Sequence, residues 1–201
     1  ITSLEVLSRL KDGKHNYINP EYFIHVAEIN HTIIQLSRQM FEKTCRFAVD
    51  NNIFDRGIND MNINISPIQC QDKHLVQDLK KIAAKYGIPF ERFHFEITES
   101  RLTDEKAVRE TLTKLKENGA KIALDDFGTG YSNIASIMLM PIDFVKIDKS
   151  LLWSYASGDN EFLNELMPMI RGEGKKIIAE GIETEEHIEI LRRMGGDFLQ
   201  G

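Results

Sequence analysis

The chain reads as an α/β protein, a TIM-type (β/α)8 barrel incomplete at both ends, on three observations. Strand-like runs of period two alternate with helix-like stripes of period 3.6. The strand-like runs obey one parity rule, apolar on one face and polar on the other. Six apolar stretches stop on a carboxylate, an amide or a lysine, at Glu5, Asn64, Glu96, Asp125, Lys146 and Glu180. In a parallel barrel the outer strand faces pack under helices, while inward residues at the C-terminal mouth can be polar and converge. Function is therefore expected at that mouth.

Strands are expected at about residues 3–7, 61–65, 93–97, 121–125, 143–148, 176–180 and 197–200. Met61, Ile63 and Ile65 oppose Asn62, Asn64 and Ser66, and Phe93, Phe95 and Ile97 oppose His94, Glu96 and Thr98. Ile122 and Leu124 oppose Asp125, Val145 and Ile147 oppose Lys146, and Ile177 and Ala179 oppose Glu180. Helical stripes run through Ile33, Leu36, Met40, Thr44 and Phe47, then Leu75, Leu79, Ile82 and Tyr86, then Val108, Leu112 and Leu115. Gly87 and Gly119 follow two of them, where a residue of positive φ commonly ends a helix. After Lys146-Ile147-Asp148, the stretch Ser154 to Asn160 is small and polar, and the helix beyond it carries Pro168 and is expected to be short or bent. Seven strands are one short of a closed barrel, so the expectation is one domain over residues 1–201 lacking its first strand and its closing segment.

Composition sets mild bounds. With 201 residues, 42% hydrophobic and 28% charged, the chain can bury one sizeable core. A net charge of -6 argues against a nucleic-acid polymer as partner but allows a small anion held through metal ions. Cys45 and Cys70 have no ligand-like spacing with histidine, which favours reduced, packed thiols in a cytosolic setting. No apolar run approaches the roughly 18 residues of a membrane span, and the opening residues lack a secretory layout.

Each polar feature has a bland alternative. Asp125-Asp126 alone would suit a solvated turn capping a helix, but apolar Leu124 before it and glycines after it argue for a site. Lys146 on an inward face requires a carboxylate or a metal-site partner, because an unpaired buried ammonium is costly. Glu5, Glu96 and Glu180 would repel one another inside a dry barrel unless cations lie among them. His94 is expected to be structural, Arg192-Arg193 a solvated helix face, and Met138 to Met140 core or subunit interface. Gly128-Thr129-Gly130 is too short a pattern to stand alone as a phosphate cradle.

The motifs, taken together, resemble a known family. Ser3 to Arg9 (with Glu5-Val6-Leu7), Asn64-Ile65-Ser66, Glu96-Ile97-Thr98-Glu99-Ser100, Asp125-Asp126-Phe127-Gly128-Thr129-Gly130-Tyr131-Ser132, Lys146-Ile147-Asp148, Ala179-Glu180-Gly181-Ile182-Glu183 and Gln200-Gly201 resemble the EAL-domain cyclic di-GMP phosphodiesterases. The departures are Val6 for alanine, and His25, Asn30 and His31 for the more usual proline, threonine and glycine.

The resemblance implies hydrolysis of cyclic di-GMP to linear pGpG through a water activated by two Mg²⁺ or Mn²⁺ ions. It implies that Glu5, Asn64, Glu96 and Asp125 are ligands of the first metal, that Asp126 reaches a second metal and the substrate, and that Glu180 is a further acid at the metal centre. Lys146 would hold the attacking water, Arg9 a substrate phosphate, and Gln200 would be a polar member at the last strand. Glu99 is implied to brace the loop from Phe127 to Asn133 and so to support turnover. A hard oxygen donor set without thiolates suits these metals better than zinc. Also implied are a homodimer, with Ile134, Ile137 and Met138 on an exposed helix, and further regulatory or diguanylate-cyclase-like domains in a cytoplasmic protein or the cytoplasmic part of a membrane-anchored one. The alternative reading is a catalytically inactive cyclic di-GMP receptor. Retention of the full residue set favours the enzyme.

Overall fold

The computed structural model describes residues 2–98, 105–128 and 139–201. All seven expected strands are present: β1 (Ser3–Val6), β4 (Asp60–Asn64), β5 (Phe93–Thr98), β6 (Lys121–Phe127), β7 (Phe144–Ile147), β8 (Lys176–Ala179) and β9 (Phe198–Leu199). They form one seven-stranded sheet in the order β1-β4-β5-β6-β7-β8-β9. The pairs β1–β4, β6–β7, β7–β8 and β8–β9 are parallel. This is the strand order of a TIM-type α/β fold, in which each crossover carries a helix. Missing from the sequence reading is a short antiparallel hairpin, β2 (Leu10–Lys11) with β3 (Tyr17–Ile18), too brief to leave a periodic signal.

The chain divides into two compact units, residues 1–95 with 106–120, and residues 96–105 with 121–201. In the first, α1 (Pro20–Ile29) starts with Asn19 accepting from the Glu21 amide and proline at its first position. It is followed by α2 (Ile33–Asp50), α3 (Pro67–Cys70), α4 (Leu75–Lys85) and α5 (Glu105–Glu117). Helix α3 carries a reciprocal capping box between Ser66 and Gln69. Phe41 of α2 packs on Phe93 with ring centroids 4.6 Å apart, and Phe90 on Phe95 at 5.9 Å, giving this unit an aromatic core. Leu112 and Leu115 of α5 are fully buried. Gly87 and Gly119 have the expected positive φ, at 68° and 95°. His31, where the resemblance noted above implies glycine, takes a left-handed φ of 55°.

In the second unit, α6 (Lys149–Ala156), α7 (Leu163–Gly172) and α8 (Glu185–Met194) accompany the strands. Asp148 caps α6 by accepting from the Ser150 amide at 2.9 Å, so the polar segment expected from Ser154 is helical as far as Ala156. Helix α7 is short, as Pro168 predicted, yet unbroken through its ten residues. One device recurs at the strand starts. The Asp143 carboxylate accepts from the Ile122 amide, and the Asp197 carboxylate from the Ile177 amide, each at 2.9 Å. The Asp143 and Asp197 amides return bonds to the carbonyls of the same two residues, at 2.8 and 3.0 Å. These two clasps pin the parallel registers from below and leave the C-terminal strand ends to carry polar side chains. Among the described residues, no helix is long and apolar enough to cross a membrane.

Candidate active site

The expected site residues that are described lie at or near C-terminal strand ends. In the first unit, Glu5 lies in β1 and Asn64 closes β4, and both are exposed. Arg9 is also exposed, its Nη1 donating to the Ser8 carbonyl at 2.9 Å. His94, expected to be structural, has Nε2 3.6 Å from the Asp60 carboxylate.

The second unit contains a charge cluster centred on Lys146. Its Nζ lies 2.7 Å from Asp125 Oδ1, 2.8 Å from Glu180 Oε1 and 3.2 Å from Glu96 Oε1. Lys146 is 1% exposed, Glu96 0% and Asp125 9%, so these charges interact through a poorly screened interior. Burial alone would depress the lysine, but the Glu96 and Asp125 charges, with hydrogen bonds to Asp125 and Glu180, hold its pKa above the usual range. Burial pushes the Glu180 carboxyl up; Lys146 pulls it down, and the nearby charges of Asp125 and Asp126 push it further up.

Asp126 reaches the site by an irregularity. Between Leu124 and Phe127 of β6 there are three residue steps, facing two between Val145 and Ile147 of β7. The extra residue makes a bulge, and Asp126 sits in it with a left-handed φ of 54°. In a regular strand, Asp126 would point to the face opposite Asp125. Here carboxylate oxygens of Asp125, Asp126 and Glu180 lie within 4.8 Å of one another. Adjacent aspartates are a sequence sign of such a bulge only in hindsight, since strict alternation would separate them.

These donors fit a divalent cation. Three carboxylates converge with only oxygen ligands, and three acids around one ammonium leave uncompensated negative charge. Gln200, just past β9, is held at its backbone, donating to the Ala179 carbonyl at 2.8 Å and accepting from the Ile182 amide at 3.2 Å. Gly128 has a φ of 101°, and a Cβ there would collide with Leu151, so packing accounts for this glycine without a phosphate. Leu139 is exposed and Met140 buried. Glu99, residues 129–133 of the loop it was expected to brace, Ile134, Ile137 and Met138 lie outside the described residues.

With this geometry in hand, the comparisons are decisive: the EAL domain family matches residues 1–201, the whole chain. The chain belongs to the EAL domain family. It is 32% identical to the bifunctional diguanylate cyclase/cyclic di-GMP phosphodiesterase MucR of Pseudomonas aeruginosa over 98% of its own length and 29% of the relative. To the cyclic di-GMP phosphodiesterase PdeF of Escherichia coli it is 31% identical, over 98% of the chain and 27% of the relative. This EAL domain thus spans under a third of these relatives. Among solved structures, the PaMucR phosphodiesterase in its c-di-GMP complex superposes with a TM-score of 0.83 at 30% identity, covering 98% of this chain and 81% of that one. The EAL enzyme Bd1971, bound to cAMP and cyclic di-GMP, gives 0.86 at 27% identity, covering 100% of this chain and 56% of that one.

Proposed function

We propose that this EAL domain hydrolyses cyclic di-GMP to linear pGpG with Mg²⁺ or Mn²⁺, within a larger cytoplasmic signalling protein that acts as a homodimer. The observation that carries the reading is the Lys146 cluster, a buried ammonium among Glu96, Asp125 and Glu180 with Asp126 turned towards the same acids. Charge balance makes this an expensive arrangement for structure alone, since replacing such groups by apolar ones is often neutral or stabilising. The free, buried thiols of Cys45 and Cys70 agree with a reducing compartment.

In this reading Asp125, Asp126 and Glu180, with Glu5, Asn64 and Glu96, would hold the cations. When bound, divalent ions supply Lewis-acid stabilisation of phosphoryl charge and lower the pKa of the attacking water. The chain's own groups do the rest. Lys146 donates to the oxygen of that water, keeps it aimed at phosphorus and offsets the charge that builds as attack proceeds. Water forms the new P–O bond, the bond to the 3′ oxygen breaks, and the product carries a 5′ phosphate. Arg9 binds a substrate phosphate, with Gln200 contributing a polar contact at the last strand.

The test is incubation of the protein with cyclic di-GMP and Mg²⁺ or Mn²⁺, followed by chromatography. Formation of pGpG is expected. Tight cyclic di-GMP binding without pGpG would replace the enzyme by a receptor, and turnover of linear dinucleotides at the same rate would replace the substrate.

A further inference from the structure

Trp153 is the single tryptophan of the chain, and nothing in the roles assigned above uses it. It lies on α6, the helix that begins directly after Lys146-Ile147-Asp148. Although 37% exposed, it makes a specific bond: its indole Nε1–H donates to the Gly181 carbonyl at 3.0 Å. Gly181 is the residue after Glu180. Its φ of 65° favours glycine, and a Cβ there would collide with the stem of Lys149, one turn before Trp153 on the same helix. Lys149 Nζ lies over the Trp153 ring, 5.3 Å from its centroid. His187 of α8 also stacks on Trp153, with centroids 6.5 Å apart and planes 27° from parallel. The His187 Nδ1 also accepts from the Glu183 amide at 3.4 Å. The turn from Glu180 to Glu183 is therefore gripped from α6 and α8 together.

We propose that Trp153 is a positioning residue of the site: its bond to the Gly181 carbonyl fixes the turn that presents Glu180 to Lys146 and to a divalent cation. The inference rests on the phosphodiesterase reading for its effect on turnover, but not for its effect on metal binding. Lys146 and Glu180 are joined directly at 2.8 Å, and a second time through Asp148, α6 and the indole. A carboxylate on a short turn has several rotamers and a mobile backbone; a hydrogen bond on the adjacent carbonyl removes much of that freedom. Partners of this kind set ligand orientation without touching the ion.

Trp153→Phe keeps a phenyl ring near Lys149 and His187 and removes the indole N–H together with its five-membered ring. It should lower Mn²⁺ affinity, read by calorimetry, about threefold to tenfold, and lower kcat by a similar factor with the KM for cyclic di-GMP nearly unchanged. Tyr155→Phe, on the same helix as Trp153, removes a hydroxyl that donates to Asn164 of α7 and should leave both at wild-type values. Wild-type Mn²⁺ affinity and kcat in a folded Trp153→Phe overturn the proposal. The wild-type chain provides an independent readout, because all its tryptophan fluorescence comes from Trp153: Mg²⁺ alone should change the emission saturably, and Glu180→Gln should abolish that change. Mg²⁺ binding by calorimetry with unaltered emission also overturns the proposal. A wild type that binds Mn²⁺ but makes no pGpG sinks the phosphodiesterase reading alone, and the affinity and emission comparisons still decide the role of Trp153.

Discussion

At the scale of the residue, Lys146 offsets a repulsion that would otherwise oppose folding. It is the common partner of Glu96, Asp125 and Glu180, and two of those three are buried. Removing one partner of a buried ion pair typically costs about 3–5 kcal/mol, because the charge left behind is uncompensated. Lys146→Ala should therefore unfold in urea at distinctly lower concentration without metal, and Mn²⁺ should recover part of the loss. Its kcat should fall about a hundredfold with little change in KM, as expected for a group that acts mainly in the transition state. A raised KM with wild-type kcat would place Lys146 in substrate binding instead. The two cysteines give a contrasting case. Burial pushes both thiols from 9.0 up to about 12, with the Glu42 charge adding at Cys45. The folded thiols thus keep their protons while the unfolded ones ionise near pH 9, so their contribution to stability is full below pH 9 and is lost as pH rises towards 12. Alkylation at pH 8 should proceed only at the rate of unfolding. Fast labelling of native protein would contradict the burial of Cys45 and Cys70.

Among the elements, the strands that carry the site depend on local devices at both ends. Asp143 and Asp197 clasp the amides of Ile122 and Ile177 at the strand starts. Asp143→Ala leaves the Ile122 amide without that acceptor and should cost about 1–3 kcal/mol, seen as a lower urea midpoint with unchanged slope. An unchanged midpoint would mean that water replaces the carboxylate at no cost. Most of the seven strands were legible in the sequence because apolar and polar residues alternate along them, and the helix stripes between them repeat over several turns; β9, two residues long, carries no alternation. The clasps were not, although the pair Asp-Phe recurs at Asp143-Phe144 and Asp197-Phe198 and those two rings meet at 6.0 Å. A single polar residue before a strand is indistinguishable from a loop residue until its partner strand is known. The same limit hid the bulge at Asp125-Asp126. Alternation assigns faces residue by residue, and one inserted residue reverses every later assignment. The residues of the Lys146 cluster could thus be named from strand ends, but not the backbone kink that turns Asp126 towards them, nor the indole bonded to the Gly181 carbonyl.

For the whole molecule, the uneven charge at the strand ends predicts a link between protons, metal and stability. Three carboxylates surround one ammonium, and Asp126 adds a fourth acid close to Asp125 and Glu180. Burial and the neighbouring acids raise the pKa of Glu180 above its usual 4.5. A carboxyl raised in the folded state contributes stability that is fully present below its unfolded pKa and is lost as pH rises through the folded value. The metal-free protein should therefore lose stability over that window, as Glu180 gives up its proton among like charges. A divalent cation reverses the trend, because it binds the ionised acids of the folded chain and competes with the same proton. Melting curves with chelator and with Mn²⁺, taken across the carboxylate range and up to neutral pH, should diverge as pH rises, the Tm gained from Mn²⁺ growing with each step. In Glu180→Gln, which keeps the shape and cannot ionise, the chelated curve should flatten over the same window and the gain from Mn²⁺ should shrink. If wild type and Glu180→Gln gave the same pH profile, or Mn²⁺ left the Tm unmoved at neutral pH, the acids at the strand ends would have to be held together by Lys146 alone.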